Sequence, residues 1–302
     1  MQLSRADLAD LGYFLAIAKH RSFRRAGLDL GISASALSHA LKGLETRLGV
    51  RLVNRTNRSV TLTAAGEELF ASIDAPFAAI GLAVEALNRH RGEPAGRVRL
   101  NVSEHASVLL LAPILPTFLE RYPDVAIDIR VSNHLLDVVE AGADAGIRYG
   151  DTVPEDMIAQ RLSADIRWVV VGAPGYLKRF GMPTHPRDLL AHRCLRIRLG
   201  NDHIYHWEFE KDGEPLALDV PGALTLDSTE LAVTLATEGV GLAYLPEPCV
   251  AGPVRRGDLR LVLEDWSPSG AGFSLYYPGR RQLPTGLRLL IALIREMRPL
   301  GL

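Results

Sequence analysis

Residues 33–45 read SASALSHALKGLE, and the rest of the chain is arranged about them. Taken as a helix, the stretch puts Leu37, Leu41, Leu44 and then Leu48 at i, i+4, i+7 and i+11, on one apolar stripe. Ser35, Ser38, His39 and Lys42 fall at i, i+3, i+4 and i+7, on roughly the opposite side. One face buries. The other offers short hydroxyls, an imidazole and an ammonium, with no bulky apolar group and no acid. An element meant for a DNA groove needs such a face: small donors and acceptors for base edges, a cation for phosphate, and no carboxylate to repel it. An ordinary amphipathic surface helix has the same pattern, so the flanking sequence decides.

Upstream, a first helix opens at Ser4, with Asp7 near its positive end and Leu8, Leu11, Phe14, Leu15 and Ala18 as its buried stripe. Ser22 suits the N-cap of a second helix over 23–30, and Gly31 stands where a tight turn wants positive φ. Ser33 then caps the helix of the opening stretch. Helix, short glycine turn, helix is a helix-turn-helix over 23–42, with residues 33–45 in the recognition position. Downstream, 51–55 (RLVNR) and 59–63 (SVTLT) read as two short strands around the turn Thr56-Asn57-Arg58, a wing with Arg55 and Arg58 at its tip. On a basic module, arginines so placed suit phosphates beside the groove. The residues expected on DNA are therefore Ser33, Ala34, Ser35, Ser38, His39, Lys42, Arg55 and Arg58.

Thr63 suits the cap of a long helix reaching about residue 90, with Leu69, Ile73, Phe77, Ile80, Val84 and Leu87 at spacings of three or four. Its other side carries Ala71, Ala75, Ala78, Ala79, Ala83 and Ala86, so it too is scarcely polar. A helix apolar on two sides that leaves a small module needs a partner, most simply its copy in a second subunit. Pro76 should kink it. Residues 91–96 (RGEPAG) read as a linker. The expected division is 1–63, a winged helix-turn-helix; 64–91, a linker helix for dimerisation; and 97–302, a larger body.

Charge follows this division. Residues 1–63 hold ten Lys and Arg against four acids, a balance of +6, and the remainder carries −7, although the whole chain of 302 residues nets only −1. A basic module on an acidic body points to a polyanion partner for the first part alone. Two cysteines, Cys194 and Cys249, fit a reducing cytoplasm rather than a disulfide scaffold. The start, MQLSRADLADLGYF, lacks the form of a signal peptide, and 108–115 is too short to span a membrane. The expected location is the cytoplasm.

The body alternates. Strands are expected at 97–102, 125–131, 143–148, 167–172, 241–245 and 273–277, and helices at 104–122 (bent at Pro113), 134–141, 174–180, 228–238 and 284–298. Residues 207–210 and 216–220 flank Asp212-Gly213, a hairpin signal. Such alternation means an α/β doubly wound sheet.

The residues resemble a known family. FLAIAKHRSFRRAGLDLGISASALSHALKGLETRLGVRLVNRTNRSVTLTAAG is similar to the N-terminal signature of LysR-type transcriptional regulators. The likeness includes Ser22-Phe23, the Ser-Ala-Leu-Ser core, Leu44-Glu45, Leu48-Gly49, Arg55 and Thr63-x-x-Gly66. FLERYPDVAIDI, AGIRYG, WVVVGAPGYL and EGVGLAYLP resemble the landmarks of the family's effector domain, while WEFEKDG and LYYPGRRQLP look like one large branch of it. The resemblance implies a winged helix-turn-helix, a dimerising linker helix and a two-lobed α/β effector domain like periplasmic binding proteins. The chain would then cross between lobes near 162–171 and 266–276, giving lobe one as 97–165 with 272–302 and lobe two as 166–271. It also implies a dyad operator in double-stranded DNA, a dimer assembled further into a tetramer, a small-molecule effector and no enzymatic activity, and it admits RNA polymerase as a partner. The chain departs from the frequent pattern at Ala34, His39 and Gly27, where Gln, Arg and Ala are usual.

A two-lobed sheet binds ligands at strand ends near helix N-termini. Ser103 and His105 follow the first strand of the body, Ser228 and Thr229 open a helix of the second lobe, and Arg148 and Tyr149 end AGIRYG. Two helix ends with hydroxyls and one arginine suit a small carboxylate, unless Glu104 points inward. Asn201, His203 and Tyr205 lie in a polar loop that could reach the same cleft. Other chemistries find no support: the cysteines are 55 positions apart, His203 and His206 have no further ligand at metal spacing, and Gly172-Ala173-Pro174-Gly175 lacks the lysine of a P-loop. No cofactor and no metal are expected. A DNA-bound protein with a ligand-free cleft, and an enzyme fused to a DNA-binding module, are the competing classes.

Overall fold

The computed structural model describes residues 5–55, 60–86, 94–134, 142–200, 202–279 and 283–301. The chain forms two compact units, 1–91 and 92–302.

The first unit holds α1 (Arg5–His20), α2 (Phe23–Leu30), α3 (Ala34–Leu48), the strands β1 (Val53–Arg55) and β2 (Val60–Leu62), and α4 (Ala64–Ala86). The expected caps are in place. Ser22 and Ser33 accept from Arg25 N–H and Ala36 N–H, and Gly31 and Gly49 end α2 and α3 at φ 69° and 70°. Thr63 Oγ1 accepts from Gly66 N–H at 3.0 Å at the start of α4. Leu37, Leu41 and Leu44 bury completely against Phe14, Ile17 and Leu52. Leu8 does not: it is 50 % exposed. Asp7, not Leu8, shares the inward stripe with Leu11, Phe14 and Ala18, and it pairs there with Arg47 of α3 at 2.7 Å. Asp10 joins the same guanidinium at 2.5 Å. Ser4, the turn 56–58 with Arg58, and Leu87 lie outside the described residues. In α4, Leu69, Ile73 and Phe77 pack on the module's core, whereas Ile80 and Val84 are 58 % and 63 % exposed. The helix runs unbroken through Pro76.

The second unit continues with β3 (Gly96–Val102), a π-helical turn (Ala106–Leu111), α5 (Leu115–Arg121), β4 (Val125–Val131), β5 (Ala145–Tyr149) and β6 (Met157–Arg161). Then come β7 (Ile166–Gly172), α6 (Pro174–Phe180), β8 (Cys194–Ile197), β9 (Trp207–Lys211), β10 (Glu214–Leu218), β11 (Leu224–Leu226) and α7 (Thr229–Thr237). Last are β12 (Leu242–Pro246), α8 (Glu247–Arg256), β13 (Arg260–Val262), β14 (Ser269–Gly270), β15 (Phe273–Pro278) and α9 (Thr285–Met297). The segment expected as a helix over 104–122 with a bend at Pro113 divides there, into a wide turn, with Ala112 N–H bonded to Ser107 O, and the shorter α5. Pro113 and Pro116 withhold the N–H groups that a continuous helix would use there. Of the helix expected over 134–141, residues 135–141 lie outside the described residues.

Two mixed sheets result. One runs β4-β3-β5-β15-β6; the other runs β11-β8-β12-β7-β13, with β14 on β7. Parallel β3, β4 and β5 are closed by β15, antiparallel to both β5 and β6. The first sheet's core gathers Val98, Leu100, Ile147, Phe118, Phe273 and Leu290; the second has separate clusters around Trp207 and Tyr244 on one face and Val171 and Ala243 on the other. The chain changes sheets between Arg161 and Ile166 and returns between Gly270 and Phe273. These crossings lie side by side. Leu162 N–H donates to Phe273 O at 2.8 Å, Phe273 N–H donates to Ser163 Oγ at 2.7 Å, and a Cβ on Gly272 would stand 1.9 Å from Ala164 O. Backbone touches backbone there, so only glycine fits.

Candidate nucleic-acid interface and ligand cavity

On α3, Ser33, Ala34, Ser35, His39 and Lys42 are exposed and Ser38 is half-buried. Ser33 is engaged as the cap, with its Oγ 3.0 Å from Ser35 Oγ. Arg55 of the wing lies across the module: its guanidinium is 4.0 Å above the Phe23 ring and donates to Ser38 Oγ at 2.6 Å. Two residues singled out separately, Ser38 and Arg55, are thus in contact. Glu45, the acid that closes the recognition stretch, points away from the polar face. Its Oε1 accepts from Leu52 N–H at 2.8 Å and Val53 N–H at 3.1 Å, tying α3 to the wing. The polar face therefore presents hydroxyls, a methyl, an imidazole and an ammonium, and the Glu45 carboxylate is turned onto backbone donors.

Between the two sheets lies a cavity of about 570 Å³. Ser103, His105, Arg148, Tyr149 and Thr229 all line it. Ser228 does not; its Oγ accepts from Leu231 N–H and caps α7. Adjacent hydroxyls at a helix start divide the work, one turned back on the helix and one outward. The positive end of α7 is already served, because Glu104 Oε2 accepts from Thr229 N–H at 3.3 Å. Tyr205 lines the cavity and His203 does not, while Asn201 lies outside the described residues.

Arg148 is the notable charge. Its side chain is buried, with the residue 4 % exposed. Its Nη1 donates to Ile147 O at 3.0 Å and its Nη2 to Asn101 Oδ1 at 3.1 Å and His134 O at 3.2 Å. Its Nε has no partner, and among the described residues no acid pairs with it. Burial pulls its proton affinity down from the ordinary arginine value. His105 bridges the lobes: Nε2 is 2.5 Å from Thr229 Oγ1, and Nδ1 is 2.8 Å from Tyr149 OH. Burial lowers its pKa to about 4, so the ring is neutral at pH 7.

Sequence reasoning missed most of the cavity's wall. Trp168 belongs to it, with ring centroids 5.5 Å from Tyr244, 5.7 Å from Tyr149 and 6.0 Å from Tyr205. Phe209 of the β9–β10 hairpin adds to it. The signal was present in WVVVG, LAYLP and HIYHWEFE, but aromatics in buried strands read first as core. Cys194 and Cys249 are free, and burial pushes both thiols up to about 12, well away from the reactive thiolate. Among the described residues no His, Cys, Asp and Glu group could hold a metal ion. No helix among them is long and apolar enough to cross a membrane.

A winged helix-turn-helix joined to a two-lobed body with a cavity between its sheets defines a ligand-binding DNA-binding protein. Residues 8–67 match the model of the bacterial regulatory helix-turn-helix protein, lysR family, and residues 91–299 match the LysR substrate binding domain. The chain is 36% identical over 291 residues to the HTH-type transcriptional regulator YcaN of Escherichia coli (strain K12), covering 96% of this chain and 95% of that one. It is 35% identical over 290 residues to the HTH-type transcriptional regulator PgrR of the same strain, covering 96% and 97%. Its fold is similar to that of CrgA, a LysR-type transcriptional regulator from Neisseria meningitidis, with TM-score 0.60 and 26% identity over 98% of this chain and 99% of that one. The chain belongs to the LysR family of transcriptional regulators. It is a DNA-binding regulator with an effector-binding domain, not an enzyme.

Proposed function

We propose that α3 enters the major groove of a dyad operator, where Ala34, Ser35, Ser38, His39 and Lys42 meet base edges and phosphates. Ser33 fixes the helix start, and Arg55 and Arg58 take phosphates beside the groove. The exposed stripe of α4 at Ile80 and Val84 supports pairing of two subunits. In this reading the protein works in the cytoplasm as a dimer of dimers, with RNA polymerase as the downstream partner. The domain limits that go with this reading are 1–63, 64–91 and 97–302, with lobes 97–165 plus 272–302 and 166–271.

The cavity holds the effector, and the effector carries an anion such as a carboxylate against Arg148, with Ser103, His105, Tyr149 and Thr229 around it. Ser228 supports this arrangement only by capping α7. The single observation that carries the reading is Arg148: a buried guanidinium in a cavity wall, with no acid bonded to it among the described residues. An uncompensated buried charge is costly, and a ligand anion relieves it. Effector binding would favour one angle between the lobes and so one spacing of recognition helices. Footprinting of the intergenic DNA beside the gene, with and without small acids, tests this. A dyad footprint whose length or affinity changes with one acid, and loses that response in Arg148→Met, is the expected result. An acid-responsive footprint that is unaltered in Arg148→Met overturns the assignment.

A further inference from the structure

The cavity wall also carries acidic side chains, and this inference about them rests on the cavity being the effector site. Asp151 follows β5 in the first lobe and Glu208 stands on β9 in the second; both line the cavity. Neither is in an ion pair among the described residues. Burial first, and then the charge of Glu208, raise the proton affinity of Asp151, so the two carboxylates sense each other across the cleft. Tyr205 feels both, and its hydroxyl donates to Glu208 Oε2 at 2.7 Å. The ring of Trp168 also lines the cavity, with its centroid 6.0 Å from that of Tyr205. The wall as a whole carries Asp151, Glu208, Glu210 and Asp227 against two arginines, Arg148 and Arg198. Arg198 does not neutralise the pair; its Nη1 donates to Asp202 O at 3.0 Å.

Two carboxylates from opposite lobes, facing one space with no cation between them, resist closure of that space. Aromatic faces beside them are negative as well and attract a cation. A ligand bearing only an anion would satisfy Arg148 and leave these carboxylates repulsive. We infer that the ligand is amphoteric, of the amino-acid class: an anionic group on Arg148, and a protonated amine between Asp151 and Glu208 against the rings of Trp168 and Tyr205. The amine then acts as the shared counterion of the two lobes, and only a molecule with both groups holds them together.

The test uses the full chain and matched trios sharing one side chain: an α-amino acid, its deaminated acid and its decarboxylated amine. Phenylalanine, 3-phenylpropionate and phenethylamine form one trio; tryptophan and leucine supply two more. Thermal unfolding with each compound is followed by calorimetric titration of those that raise Tm. The expected result is that in at least one trio the amino acid stabilises more than the acid or the amine. Asp151→Asn and Glu208→Gln should then each weaken the amino acid about tenfold without weakening the acid. The unliganded Tm of each variant reports that it folds. Acids that stabilise as well as their amino acids in every trio, or amino-acid affinity unmoved by both variants, overturn the inference while the Arg148 reading stands. If no acid and no amino acid shifts Tm, both fall.

Discussion

His105 is neutral in the fold and donates or accepts through both ring nitrogens, to Thr229 in one lobe and Tyr149 in the other. Its folded pKa of about 4 lies below the unfolded value near 6.5. The unfolded chain therefore takes up the proton first as pH falls, and stability drops between pH 6.5 and about 4, by at most roughly 3 kcal/mol. Urea unfolding at pH 7 and pH 4.5 should show that drop in the wild type and a smaller one in His105→Gln. Gly27 is a second such position. A Cβ there would lie 2.6 Å from Ile32 O. Gly27→Ala should therefore lower Tm, because crowding of about 1–3 kcal/mol outweighs a helix-propensity gain of about 1 kcal/mol. On the polar face, Ser38→Ala and His39→Ala should each cost roughly 1–3 kcal/mol of specific DNA binding by titration with the footprinted site. Unchanged affinity in both removes them from the base-reading set. At this scale, caps were legible and partners were not. A hydroxyl before an apolar run announces Ser22 and Ser33 locally, whereas Asp7 is explained by Arg47, forty positions away. Ser228 and Thr229 are neighbours of like chemistry, and only the fold separates cap from cavity wall.

Among the elements, α4 changes character along its length. Its first turns pack on the module through Leu69, Ile73 and Phe77, and the same stripe then runs out at Ile80 and Val84. Exposed apolar side chains in register with a packed stripe call for a second copy. Ile80→Glu with Val84→Glu should shift the protein toward monomer in sedimentation velocity, without lowering the Tm of the effector domain; an unchanged oligomer places the contact elsewhere. The hairpin β9–β10 was readable because Asp212 and Gly213 both adopt positive φ, 54° and 82°, the demand that Asp-Gly advertises. By contrast β6, β8, β11 and β13 escaped notice. They are three to five residues long, too short for an alternating pattern to declare itself. Helix α8 was hidden for another reason: EPCVAGPVRR carries two prolines and a glycine, which mark a loop in sequence. Its first proline sits in the opening turn, where no N–H is needed.

For the whole molecule, the paired crossings and the contacts ahead of them set what the two lobes can do. Ser163 and Phe273 bind the crossings to each other, and Glu104, His105 and Asn133 of the first lobe reach Thr229 and Asp227 of the second. The lobes are joined at one edge by backbone and across the cleft by a few polar side chains. The general plan of this arrangement was legible from alternation and from the family likeness. The wall of the cavity was not, since it is assembled from β5, β7, β9 and β12, and no stretch of sequence shows which faces will meet.

Trp168 gives that wall a voice. The chain has three tryptophans, Trp168, Trp207 and Trp266, and all stand in 166–271. Trp207 is fully buried, whereas Trp168 lines the cavity and stacks on Tyr244 at an interplanar angle of 21°. Excited at 295 nm, where tyrosine hardly absorbs, the protein emits from this lobe alone, and the DNA-binding unit is dark. Occupancy of the cavity should therefore change the intensity or wavelength of emission without any label, and Trp168→Phe should abolish the change while the ligand still raises Tm. DNA added to the same cuvette contributes no competing signal, so ligand titrations with operator present and absent report directly whether the two sites influence each other.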